Sequence, residues 1–200
     1  FDEMESDVHA PEKYGIYQSV GDTSGPGGIL RAMRAVPMYE AIGEGIRDCC
    51  PQAWVINYTN PMTLCVKALY RVFPEIKAFG CCHEVFGTQS FLAKVVEEEL
   101  GVPKVERHEI KVNPVAVNHF TWLTKAMYHE IDLFPVYGLY CRKHPDGKGG
   151  AESADADWMH NPFACDEKVK MDLFRRFGWI AAAGDRHLAE FCEGKWYLES

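Results

Sequence analysis

Apolar positions along this chain switch between two periods, and the switch predicts its elements. Ala53-Trp54-Val55-Ile56-Asn57 and Ile76-Lys77-Ala78-Phe79-Gly80-Cys81 are short apolar runs of strand length. Met62 to Val72 and Val85 to Leu100 carry helical spacing between and after them. Asn60 is placed to cap the helix that Pro61 begins, and Gly101 to close the second helix. Val105 to Val112 alternates and predicts a third strand. Strand, helix, strand, helix, strand with short connections predicts an α/β fold built on a parallel sheet. Ligands of such sheets gather beyond the carboxyl ends of the strands, which is where Asn57, Asn60, Cys82 and His83 fall.

The flanking segments are less regular. Residues through Asp22 read as loop, and Thr23-Ser24-Gly25-Pro26-Gly27-Gly28 as a turn leading into a helix from Ile29 to about Cys50, with Pro37 as a break or kink. After Asn113 the pattern changes. Phe120 to Tyr128 reads as strand, Glu130 to His144 as helix interrupted at Pro135, Gly147 to Asp157 as a polar, mobile insertion. Asp166 to Phe177 reads as an amphipathic helix leading into a Gly184-Asp185-Arg186-His187 turn. The change places a domain boundary between residues 1–112 and 113–200.

Composition narrows the partners. A formal charge of −8 repels nucleic acid and anionic membrane alike, so small molecules or proteins are favoured. No apolar stretch approaches the length that spans a bilayer, and the start carries no signal-peptide series. The first residues, Phe1-Asp2-Glu3, and the last, Tyr197 to Ser200, read as the ends of an internal fragment. Eight cysteines include the adjacent pairs Cys49-Cys50 and Cys81-Cys82, and several lie in apolar segments. That is a poor disulfide framework, so a reducing cytoplasm is expected.

Candidate chemistry lies in four short motifs, each with two readings. Cys82-His83-Glu84-Val85, answered by Asn118-His119, offers a thiolate and imidazoles suited to a transition metal, with His83 as a proton donor; equally, Cys82 packs in the core and the histidines sit at loop edges. Thr59-Asn60-Pro61 either starts a helix or presents an amide to a sugar or ribose hydroxyl. Gly25-Pro26-Gly27-Gly28 either turns the chain or cradles an anion on backbone amides; it is not the dinucleotide fingerprint. Asp185 acts as a base, or only caps and pairs with Arg186.

Taken in order, Gly25-Pro26-Gly27-Gly28-Ile29, Arg34-Ala35-Val36-Pro37, Ile56-Asn57-Tyr58-Thr59-Asn60-Pro61-Met62, Gly80-Cys81-Cys82-His83-Glu84-Val85 and Val117-Asn118-His119-Phe120-Thr121-Trp122 resemble glycoside hydrolase family 4 over nearly the whole chain. The Cys-His-Glu-Val form resembles the α-galacturonidase subgroup. The resemblance implies the C-terminal part of a Rossmann-like NAD-binding domain over 1–112, its glycine fingerprint upstream of Phe1, and the start of an α/β substrate and metal domain over 113–200. It makes Cys82 and His119 ligands of a divalent metal, usually Mn²⁺, and sets His83 beside the leaving group. Asn57 and Asn60 fall near the cofactor, Asn60 and Asn118 near substrate. Asp185 matches the position of the catalytic base, where many members use Tyr, and Arg186 is assigned to the uronate carboxylate.

The implied activity is hydrolysis of α-galacturonides by oxidation at C3 with bound NAD⁺, deprotonation at C2, elimination of the aglycone, addition of water and return of the hydride. NAD-dependent members of this family stand outside two-carboxylate hydrolysis. Competing expectations are an α-galactosidase or α-glucuronidase of the same family, a lactate/malate-type dehydrogenase, and a non-catalytic sugar- or metal-binding domain. A homo-oligomer, dimer or tetramer, is expected.

Overall fold

In the computed structural model, which describes residues 2–148, 165–192 and 194–197, the expected strand and helix periods are realised in two separate sheets. The chain divides into two units, Phe1–Cys82 with Glu190–Ser200, and His83–Ala189. The boundary expected after residue 112 therefore falls within the second unit.

In the first unit, α1 (Asp2–His9) and a 3₁₀ turn (Ala10–Tyr14) occupy the segment expected to be loop. The sequence Asp-Glu-Met-Glu-Ser-Asp-Val-His offers only Met4 and Val8 on an apolar face, too little to announce a helix; tertiary contacts help to hold it. Asp7 pairs with Arg34, and Met4 Sδ accepts from Arg31 Nη1. Both arginines lie on α2 (Gly25–Cys49), which starts four residues earlier than expected and runs unbroken through Pro37. Pro37 and Met33 are both exposed, so the carbonyl that proline deprives of its donor can be hydrated. α2 packs on α3 (Met62–Val72) through Tyr39, Ile46 and Gly43, where a Cβ would come within 2.6 Å of Val72 Cγ2.

α3 connects β1 (Trp54–Asn57) to β2 (Lys77–Gly80), which pair in parallel from Trp54↔Lys77 to Asn57↔Gly80. This βαβ unit is the expected one, with Val55 and Ala78 packed with Leu69, Phe73 and Ile76. Apolar side chains of these strands, Trp54, Ile56 and Phe79, stay exposed.

The second unit carries the correction to the sheet. α4 (Glu84–Leu100) ends as expected on Gly101, whose φ of 66° suits a residue without Cβ. A 3₁₀ turn (Arg107–Glu109) closed by a Glu106/Glu109 capping box occupies the middle of the expected third strand. The strand itself, β3 (Ile110–Val117), starts later and pairs antiparallel with β4 (Phe120–Tyr128). Only Asn118 and His119 connect them, too few for the crossover a parallel pair needs. β5 (Ile131–Asp132) and β6 (Ile180–Ala181) both pair antiparallel with β4.

α5 (Leu133–Lys143) is capped by Asp132, which accepts from Phe134 N at 3.0 Å, and Pro135 sits in its first turn, where no intrahelical donor is lost. The expected interruption is absent for that reason. α6 (Lys168–Phe177) starts two residues later than expected, and the segment after Gly184 is a short helix, α7 (Asp185–Glu190), not a turn. A further turn of helix, α8, spans Gly194–Tyr197. Residues 149–157 of the expected insertion lie outside the described residues. α4, α5, α6 and the sheet enclose one core, centred on Leu92, Val96, Ile110, Leu123, Tyr137 and Met171.

The Gly25–Gly28 segment is shaped by packing. A Cβ on Gly27 would stand 2.8 Å from Gly21 O, and one on Gly28 2.6 Å from Thr23 C. Gly27 N donates to Gln18 Oε1 and Gly28 N to Ser24 O, so both amides are occupied from within. Glu190 Oε1 accepts from Val20 N and Gly21 N, fixing the approach to α2. Gly28→Ala is expected to cost about 1–3 kcal/mol by forcing backbone apart. Urea unfolding of the full-length protein checks this; a parent-like midpoint would show that the close approach is easily relieved.

Candidate active site

The loop after β1 is built on amide side chains. Asn57, 4% exposed, accepts at Oδ1 from Tyr39 OH (2.6 Å) and Thr59 N (3.1 Å), and its Nδ2 donates to Thr59 O (3.0 Å). This Asx-type turn sets the path to Asn60. Asn60 does not cap α3 as expected: no side chain does, and Pro61 occupies the cap position. Its Nδ2 instead donates to Asp22 Oδ2 (2.7 Å), while its carbonyl accepts from Arg31 Nε (3.0 Å). Asp22, buried, takes Thr23 Oγ1 on its other oxygen. Asp22 and Tyr39 were not singled out in the sequence, because the residues they hold are 38 and 18 positions away. Cys81 N continues the β1–β2 pairing by donating to Asn57 O, and Cys82, half-buried, ends the unit.

The second unit opens on His83, exposed at the N-cap position of α4. Asn118 and His119 form the two-residue link between β3 and β4, and both are buried. His119 adopts φ 22°, an uncommon value for a residue with a Cβ, and one for which histidine is enriched. Its ring stacks on that of His187, with centroids 3.6 Å apart and planes inclined by 23°. His187 Nε2 lies 3.9 Å from Glu84 Oε1, within electrostatic reach but beyond a hydrogen bond. Gly184 leaves room for that carboxylate: a Cβ there would stand 3.2 Å from Glu84 Oε2. His187 and Glu84 were each visible as neighbours of chosen residues, yet nothing in their spacing tied them to His119.

Asp185 lies in a different environment from His119. Its Oδ1 accepts from Lys170 N at 3.0 Å, in the first turn of α6, so it caps that helix from α7. Its oxygens lie within 4.8 Å of ligand atoms of Cys165 and Glu167. Glu167 pairs with Lys170, whose ammonium is almost wholly buried and stands 5.6 Å from the Phe91 ring centroid. Burial, then the Glu167 charge, raises the Asp185 carboxyl, against the pull of Lys170 and the backbone N–H groups of Lys170 and Val169. Burial, with Asp185 and Glu167, pushes the Cys165 thiol up to about 12. Burial lowers Lys170, but Glu167, Cys165 and Asp185 together raise it by more, and the ammonium is held. Arg186, next on α7, is exposed.

Of the residues chosen from sequence, the structure brings Asn57 and Asn60 into one loop of the first unit. His83, Asn118, His119, Asp185 and Arg186 belong to the second. Cys82 is the last residue of the first unit's N-terminal segment, and His119 lies in the second unit.

Comparison with known proteins gives the chain its relatives. A family 4 glycosyl hydrolase model matches residues 1–98, and the family's C-terminal domain model matches 115–199. The chain is 60% identical over 199 residues to an α-galacturonidase of Thermoanaerobacterium saccharolyticum, covering all of this chain and 43% of that protein. It is 54% identical over 193 residues to the α-galacturonidase of Bacillus subtilis, covering 96% of this chain and 43% of that one. The chain thus spans about two-fifths of the length of the curated relatives it matches. Among solved structures, the Bacillus subtilis protein lplD superposes with a TM-score of 0.91 at 52% identity, over 98% of this chain and 44% of that one. A 6-phospho-α-glucosidase from gut microorganisms, in complex with NAD and Mn²⁺, shares the fold at a TM-score of 0.71 and 21% identity, over 95% of this chain and 40% of its own. With both family models matched in order and this chain aligned along its length to α-galacturonidases, the chain belongs to glycoside hydrolase family 4.

Proposed function

We propose that the protein containing this chain hydrolyses α-galacturonides with the help of NAD and a divalent metal. The observation that carries the reading is 60% identity to an α-galacturonidase along the entire chain. The cofactors are supported by the fold neighbour bound to NAD and Mn²⁺. The donor set fits such an ion: Cys82 supplies a thiolate and His119 an imidazole, both established ligand types for transition metals. The chemistry such groups would supply when bound is hydride transfer to and from the sugar by NAD and polarisation of sugar oxygens by the metal.

The chain's own groups have distinct tasks. Cys82 and His119 would hold the metal. Asn57, its amide engaged with Tyr39 and Thr59, acts by fixing the loop that presents Asn60 toward cofactor and sugar. Asn118 stands beside His119 as a substrate contact. His83, exposed before α4, can give a proton to the departing glycosidic oxygen. Arg186 offers a planar guanidinium matched to a carboxylate, the group that separates a galacturonide from a galactoside. Asp185 is the base toward the C2 proton, a role to which its burial-raised carboxyl is suited; its hold on Lys170 N gives it a structural task as well.

The substrate reading predicts cleavage of an α-galacturonide with discrimination on the order of 10⁴-fold against the matching α-galactoside, because a cation set for the carboxylate is left unpaired. Comparing kcat/KM on the two glycosides checks this, and equal values would move the reading to an α-galactosidase. For the metal, Cys82→Ser in the full-length protein is expected to weaken Mn²⁺ binding and turnover together with the fold retained. Unchanged Mn²⁺ affinity would remove Cys82 from the ligand set.

The two tasks of Asp185 separate by substitution. Asn caps a helix about as well as Asp, so Asp185→Asn is expected to keep stability while losing both cleavage and exchange of the C2 proton in heavy water. Asp185→Ala is expected to lose in addition about 1 kcal/mol of stability. A variant Asp185→Asn with parent-like deuterium incorporation at C2 would make the residue purely structural.

A further inference from the structure

We propose that His187 is a positioning residue for His119: its ring lies flat on the His119 imidazole and fixes the plane in which His119 offers a nitrogen to a divalent cation. The inference rests on the reading of His119 as a metal ligand and adds a residue outside the ligand pair. His119 stands at the tip of a two-residue link at positive φ, so the ring's orientation must be settled by what packs against it. A face-to-face separation of 3.6 Å with a 23° tilt is van der Waals contact across the whole ring, and it opposes rotation of the imidazole about its last side-chain torsion.

His187 can serve this way because it is itself held. It lies on α7 between Gly184 and the buried Leu188 and Ala189, and Leu188 N donates to Gly184 O at 3.0 Å. Glu84, the first residue of α4, sets a carboxylate oxygen 3.9 Å from His187 Nε2. Gly184 admits that carboxylate where a side chain would crowd it. The contacts run from α4 through Glu84 and His187 to His119, all within the second unit. A ligand whose ring is already oriented loses less freedom on binding, and groups behind metal-bound histidines typically contribute about 10–100-fold in affinity.

The test uses the full-length protein with NAD⁺ present and substrate absent, and reads Mn²⁺ affinity from the free-ion electron paramagnetic resonance signal. His187→Ala is expected to weaken binding by about tenfold or more. His187→Phe, which keeps a flat ring but has no ligand atom, is expected to stay close to the parent. Should His187→Ala fail to fold, His187→Gln replaces it with the same expectation. Parent-like affinity in the ringless variant overturns the proposal, and so does a His187→Phe protein as weak as His187→Ala, which would make His187 a ligand rather than a support. His119→Ala separates this from the underlying reading: if it loses the metal while His187→Ala keeps it, only the positioning role fails. If His119→Ala itself binds normally, the ligand reading falls and this one with it.

Discussion

The two-residue link between β3 and β4 is the constraint on which the second unit depends. A chain reversing direction in two residues can only pair antiparallel with the strand it has left, so β3 and β4 form an antiparallel pair. Everything next to β4 follows from that reversal. β5 and β6 add to its other edge, and α4, α5 and α6 close over the apolar side through Leu92, Tyr137 and Met171. The same reversal leaves His119 buried at a strained backbone position. A single imidazole is thereby set by backbone geometry on one side and by the His187 ring on the other.

Local signals in the sequence were reliable where local physics decided the outcome. The helix from Met62 to Val72 follows Asn60-Pro61, β4 spans Phe120 to Tyr128, and Gly101 ends α4, all as the pattern predicts. The misses have a common cause in long-range partners. α1 has only Met4 and Val8 on an apolar face and is tied to arginines nearly thirty residues away, which no window of sequence reveals. Asn60 has the right chemistry for a cap but is drawn to Asp22. Of the alternation from Val105 to Val112, only Ile110 onward is strand, and nothing in the pattern distinguishes a parallel from an antiparallel neighbour. Pro37 and Pro135 each predict a break, but one lies on the exposed face of its helix and the other in the first turn, positions that only the structure shows.

The candidate site was legible as motifs and only partly as chemistry. Resemblance picked out Cys82, His83, His119 and Asp185 without indicating that Asp185 sits among Glu167, Lys170 and Cys165. In that cluster burial is the largest influence on the Lys170 ammonium and opposes its charge, and Glu167, Cys165 and Asp185 together more than offset it. Lys170 belongs to an unremarkable amphipathic helix, and its burial depends on how α6 meets α4 and α5. Sequence pattern alone assigns such a lysine to solvent.

Motif residues in this chain divide according to whether their polar groups are already engaged inside the fold. Gly27 and Gly28 lie in a motif that invites an anion-binding role, but their amides are taken by Gln18 and Ser24, and their missing side chains make room for backbone. Asn57 likewise turns its amide inward on Tyr39 and Thr59. These residues preserve the shape of the loops that follow the strands. Gly184 does the same one step further out, by making space for Glu84. A motif can therefore mark an active site while many of its members never touch the substrate, because a ligand atom is only as well placed as the backbone and packing behind it. In this chain that support includes residues, His187 and Glu84 among them, whose spacing in sequence carries no sign of the task.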